Sequence, residues 1–175
     1  MKTKIQRRLL KMVCKEIDLT DIDLEVMDAK HVERCISSIV RELFPSSHAL
    51  GISVVSEDMG KRMVVLTGRE ETFASISDYF SVVSVVAGQK IKISNEARDK
   101  GICPDNVRFF LKAIAVPFSG SNDPLSYKLS SDDSILTVRC EEDLFAKMKY
   151  FLDKIKIQEQ PRVKIQNNPV VATEV

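Results

Sequence analysis

Tryptophan is absent from this 175-residue chain, histidine occurs only twice, and none of the six glycines has a glycine neighbour. No Gly-rich loop exists to cradle a phosphate. Cys14, Cys35, Cys103 and Cys140 form no C-x-x-C pair. The local signatures of a zinc knuckle and of a thioredoxin-type redox pair are therefore missing. No apolar run approaches the roughly 18 residues of a membrane span, so integral membrane association is not expected. Twenty-six Lys and Arg offset 25 Asp and Glu to a net charge of +1. That balance excludes a uniformly basic nucleic-acid binder. The basic start, Met1 to Arg8, is not followed by an uninterrupted apolar stretch and does not read as a secretory signal. A reduced, cytoplasmic protein is expected.

What is present is an alternation of amphipathic segments. Ile5, Leu9, Met12, Val13 and Cys14 recur at helical spacing among Lys4, Arg7, Arg8, Lys11 and Lys15. The pattern predicts an N-terminal basic amphipathic helix over residues 1–17. In residues 21–26, Ile22, Leu24 and Val26 alternate with acids, which predicts a half-buried strand. Asp28 is placed to cap a helix that buries Val32, Cys35, Ile36, Ile39, Val40 and Leu43 and stops at Pro45. Ile52–Val55 and Met63–Leu66 flank a Gly-containing turn and read as a hairpin. Thr67 and Glu70 fit a capping box, with a helix behind them that buries Phe73, Ile76 and Phe80. Residues 81–86 fit the end of that helix or a strand, and Lys90–Ile93 alternates again.

Ser94 is placed to cap a short helix ending at Gly101, and Pro104 suits the first turn of the next one. That second helix buries Val107, Phe110, Leu111, Ile114 and Phe118. A further hairpin joins Tyr127–Leu129 to Ile135–Val138 through the Ser131-Asp-Asp turn. Glu141 opens a last helix over Leu144, Met148, Phe151, Leu152 and Ile155. Lys154–Ile157 alternates like a strand, and residues 158–175 read as a flexible tail.

Most of this order occurs twice. Val32, Ile36 and Ile39 match Val107, Leu111 and Ile114 at an offset of 75; Leu66-Thr67 and Arg69 match Leu136-Thr137 and Arg139 at 70. Tyr79-Phe80 matches Tyr150-Phe151 at 71, and Lys90–Ile93 matches Lys154–Ile157 at 64. The reading is an α+β fold with antiparallel sheets and helices on one face. It is organised as a tandem ferredoxin-like (βαββαβ) repeat, with units at 22–94 and 95–157.

Convergent catalytic groups are hard to assemble. His31 falls in a helix start and His48 in a loop; a Cys103–His48 nucleophile pair can be drawn, with nothing local to support it. The carboxylate pairs Glu70-Glu71, Glu141-Glu142 and Asp132-Asp133 have simpler explanations as helix-start or turn chemistry. No metal, cofactor or catalytic residue is nominated, and an enzyme is not expected. RNA-recognition sheets stack bases on aromatics of their central strands. The first predicted strand, at 21–26, is acidic and ring-free, which disfavours nucleic acid. The expectation is a non-enzymatic protein-interaction module (an adaptor, chaperone-like or assembly factor), with homodimerisation covering any apolar sheet face left open. A nucleic-acid-associated regulator and an enzyme with a dispersed site are the alternatives. The nominated partner-binding residues are Lys4, Arg7, Arg8, Lys11 and Lys15. They belong to a segment of about +5 that precedes an acidic stretch of about −5 at 18–28.

Overall fold

The computed structural model describes residues 12–44, 51–58 and 61–159. They form an α+β fold in which helices alternate with the strands of two antiparallel sheets. The first half runs β1 (Met12–Asp18), α1 (Ala29–Leu43), β2 (Gly51–Asp58), β3 (Lys61–Arg69), α2 (Glu70–Val82) and β4 (Val83–Val86). The second runs β5 (Lys90–Ile93), the one-turn α3 (Glu96–Asp99), α4 (Pro104–Ser119), β6 (Ser126–Leu129), β7 (Ile135–Arg139), α5 (Glu142–Lys154) and β8 (Gln158–Glu159).

The sheets do not follow the division of the chain. One has the order β2-β3-β1-β8 and the other β4-β5-β7-β6. Each half therefore contributes three strands to one sheet and its last strand to the other. Residues 83–93, assigned by sequence to the first unit, supply two strands of the second sheet. The turn at 87–89 makes this placement, and Gly88 takes a φ of +74° there. A left-handed residue in so short a connection favours glycine.

Burial repeats between the halves. The buried residues of α1 are Val32, Cys35, Ile36, Ser38, Ile39 and Val40; those of α4 are Val107, Phe110, Leu111, Ala113, Ile114 and Ala115. Every one of these pairs is 75 apart, as are the N-caps Asp28 and Cys103. The α2 and α5 helices fall into register at 72 rather than 71, since Phe73, Ile76 and Tyr79 share burial with Phe145, Met148 and Phe151. Lys90–Ile93 corresponds to no strand at 154–157; Lys154 closes α5, and β8 begins at Gln158.

The α1 and α4 helices pack antiparallel. His31 in the first turn of α1 stacks on Phe118 near the end of α4, with ring centroids 5.4 Å apart. Midway along, the Cys35 thiol donates to the Ile114 carbonyl at 3.5 Å. Burial pushes that thiol's pKa upward, so it behaves as a small hydrophobe. Rings from α2, α4 and α5 meet beside this seam, Phe80 lying 5.4 Å from Phe110 and 5.8 Å from Phe151. One core cluster results, drawing on both halves.

Three local expectations need correction. Residues 12–16 are strand rather than helix; Val13 and Ile17, four apart, fit period two as well as period 3.6, and Ile17 is fully buried opposite Val64. The rest of the predicted N-terminal helix lies outside the described residues. The stretch 21–26 is a run of turns rather than a strand. The buried residues in it and beside it are Leu19, Ile22 and Met27, whose spacing breaks the alternation. Asp18 accepts from the Thr20 amide at 2.9 Å and Asp23 from the Glu25 amide at 3.0 Å. Aspartates that bind amides two residues on turn the backbone away from a ladder. Finally, β3 runs through Thr67 to Arg69, so the capping box at Thr67 does not form and α2 starts at Glu70.

Asp28 does cap α1. Its carboxylate accepts from the His31 amide at 2.9 Å and meets the His31 ring nitrogen at 2.8 Å. Partial burial raises its pKa, but the His31 amide and ring outweigh this and leave it lowered. A lowered carboxylate pKa stabilises the fold above the unfolded value and loses that contribution as pH falls through the folded one. Asp28→Ala is expected to cost about 1 kcal/mol at neutral pH. The cost should shrink below about pH 4, the range in which a free Asp carboxyl is protonated. Urea midpoints at pH 7 and pH 3 check both statements.

Candidate functional site

The nominated basic residues are not brought together. Lys4, Arg7, Arg8 and Lys11 lie outside the described residues. Lys15 sits on β1, on the same face as the buried Ile17 and opposite Glu159 in the register with β8. It is half-buried and engaged, not part of an exposed basic helix face.

The nucleophile candidate is also occupied. Cys103 is the N-cap of α4, its thiol donating to the Asn106 carboxamide oxygen at 2.8 Å and its amide to the same oxygen at 3.1 Å. His48 lies outside the described residues. Cys103 borders an open cleft of about 650 Å³ shared with Asn95, Arg98, Asp99, Asp132 and Asp133. Of the acids there, Asp132 serves a turn. Asp132 accepts from the hydroxyls of Ser130 and Ser134, each at 2.7 Å, and from the Ser134 amide at 3.2 Å. The two hydroxyls, then the amide, hold its pKa at about 2. Glu70-Glu71 and Glu142 occupy helix first turns, with Glu141 at an N-cap. Among the described residues no three His, Cys, Asp or Glu side chains are grouped to hold a metal ion.

Among the described residues, a group of like charges stands on the second sheet. Alternate residues of β5 face opposite ways: Ile91 and Ile93 are buried, while Lys90 and Lys92 are exposed. The register sets Lys90 opposite Thr137, which stands opposite Lys128, and places Lys92 opposite Ile135. Arg139 and Ser126 extend the same outward face. Lys90, Lys92, Lys128 and Arg139 are all exposed, and none is in an ion pair with another described residue. The outward face of these four strands carries no acid.

Compared with known protein families, characterised proteins and solved structures, the chain matches none. What this face recognises has to follow from its own chemistry.

The first sheet supplies an internal comparison. Thr67 and Arg69 of β3 stand where Thr137 and Arg139 stand on β7, and Cys14 opposes Thr67 as Lys90 opposes Thr137. Two residues further on, Glu16 opposes Val65 where Lys92 opposes Ile135. The same strand position thus carries Cys and Glu on one sheet and two lysines on the other.

Sequence reasoning missed this face because it read Lys90–Ile93 as the last strand of the first unit. The signal was present in the alternation itself, with Lys-Ile-Lys-Ile and Tyr-Lys-Leu each putting their charges on one side. The acidic strand invoked against phosphate binding is not a strand, so that objection has no counterpart in the fold. The missing aromatics, however, are missing here too.

Proposed function

We propose that the protein is a non-enzymatic interaction module that docks an acidic macromolecular partner on the outward face of its second sheet. The observation that carries this reading is the set of four exposed cations, none in an ion pair with another described residue, on a face without acids. Like charges at this spacing repel one another by an amount that grows at low salt. An anionic partner relieves that repulsion and gains attraction to all four. The expected self-association had a different basis, an uncovered apolar strip; on this face Val86 and Ile135 each stand opposite a lysine.

In the same reading the halves are tandem ferredoxin-like units that exchange their last strands, in keeping with the orders β8-β1-β3-β2 and β4-β5-β7-β6. No helix among the described residues is long and apolar enough to cross a membrane. A cytoplasmic setting for the module fits its free cysteines.

Retention on immobilised heparin tests the reading. The wild-type chain, though net +1, is expected to be retained at low salt. Lys90→Glu with Lys92→Glu should elute at clearly lower salt with an unchanged circular dichroism spectrum. The comparison variant reverses Arg7, Arg8 and Lys11 to Glu. If only that variant loses retention, the working surface is the N-terminal segment and the sheet face is not the site.

A further inference from the structure

Resting on the docking surface proposed above, we infer that its partner is single-stranded nucleic acid, held through the phosphates with little regard to base sequence. Two features of the face point this way, and a third, which gives nucleic acid no support by itself, confines the contact to phosphates.

The first is composition. Protein–protein interfaces are depleted in lysine and enriched in aromatics at their centres. This face has three lysines, one arginine and no aromatic residue among its outward positions. Its centre is the row Val86, Lys90, Thr137 and Lys128, which crosses all four strands.

The second is spacing. Alternate residues on a strand lie about 7 Å apart, and residues two strands over about 10 Å apart. Lys90 and Lys92 take the first separation, and Lys90 and Lys128 the second. These distances span about two to three nucleotide rises of roughly 3.4 Å each, so neighbouring cations can reach every second or third phosphate of one strand.

The third is what the central strands lack. Sheet surfaces that read RNA stack bases on aromatics. On β5 and β7 the outward positions are Lys90, Lys92, Ile135, Thr137 and Arg139. Lysine and arginine supply charge to phosphates but no platform for a base. Contacts of that kind position a nucleic acid without reporting its sequence.

The test is fluorescence anisotropy with a labelled 12-nucleotide single-stranded RNA of mixed sequence, titrated with full-length protein at several salt concentrations. Four phosphate contacts give a slope of log K against log salt of about −3, at roughly 0.7 per contact on a single strand. Lys90→Gln with Lys92→Gln should reduce the slope by about 1.4, which at 0.1 M salt weakens binding about 25-fold. A DNA strand of the same sequence and a homopolymeric RNA of the same length should bind within about threefold of the first probe. Poly-glutamate of matched charge separates this inference from the reading beneath it. RNA binding with the stated loss in the double variant supports both. Poly-glutamate bound through Lys90 and Lys92 while RNA is not leaves the acidic-partner reading standing and overturns the nucleic-acid inference. Binding of neither probe overturns both. RNA binding unaffected by the double variant, but abolished when Arg7, Arg8 and Lys11 become Gln, also overturns the inference.

Discussion

Leu111→Ala is expected to destabilise the protein by about 2–5 kcal/mol, and Ile36→Ala by a similar amount. Both side chains are fully buried, and they occupy the same place in their helices, 75 residues apart. Leu111 is on the buried face of α4, which packs along α1, so removing its branched end leaves a cavity in the core. For a chain of this size each kcal/mol moves the melting temperature by about 2–4 °C. Thermal melts should therefore fall by roughly 4–20 °C for either variant. A change below about 0.5 kcal/mol would mean that α1 and α4 meet differently from the arrangement described. The double variant should depart from additivity, because both residues line one helix seam.

A larger effect is expected from cutting the chain at the 87–89 turn. Residues 1–88 alone would lack β8 beside β1, and β4 would have no β5 to pair with. Residues 89–175 alone would lack β4, leaving β5 with an open edge. Each fragment would also expose one side of the α1–α4 seam, including Val32, Ile36 and Ile39 or Val107, Leu111 and Ile114. Neither fragment should show a cooperative urea transition or dispersed amide resonances. Mixed in equal amounts, they are expected to recover both. Cooperative unfolding of the first fragment alone, as a monomer, would sink the idea that the halves depend on each other.

The parts legible in sequence were those in which one period and one cap agreed. Asp28 followed by Val32, Cys35, Ile36 and Ile39 admits only a helix, and α1 occupies that span. Pro104 and the stripe from Val107 to Ile114 specify α4 equally well. Failure came where a spacing served two periods or where side chains bound the backbone locally. Val13 and Ile17 satisfy helix and strand alike, and only the partner strand β3 decides between them. Ile22, Leu24 and Val26 alternate, but Asp18 and Asp23 take nearby amides and bend the chain. Which strand lies beside which is a long-range matter, and no local pattern reports that β8 lies beside β1. The cationic face was hidden for the same reason. Its residues come from three strands up to 49 positions apart in sequence, Lys90 to Arg139, and become neighbours only once β5, β7 and β6 are in register.

The exchange of final strands also bears on when the protein folds during its synthesis. Domains that close on local segments form as those segments leave the ribosome. Here β1 and β3 emerge early, yet the strand that pairs with β1 on its other side is residues 158–159. At roughly 5–20 residues per second, about 90 further residues after β3 take some 5–20 s to make. Throughout that interval β1 presents unpaired amides and carbonyls, a template for the wrong strand. Nascent chains of this protein are thus exposed to mispairing with one another on crowded polysomes, and slower translation lengthens the exposure.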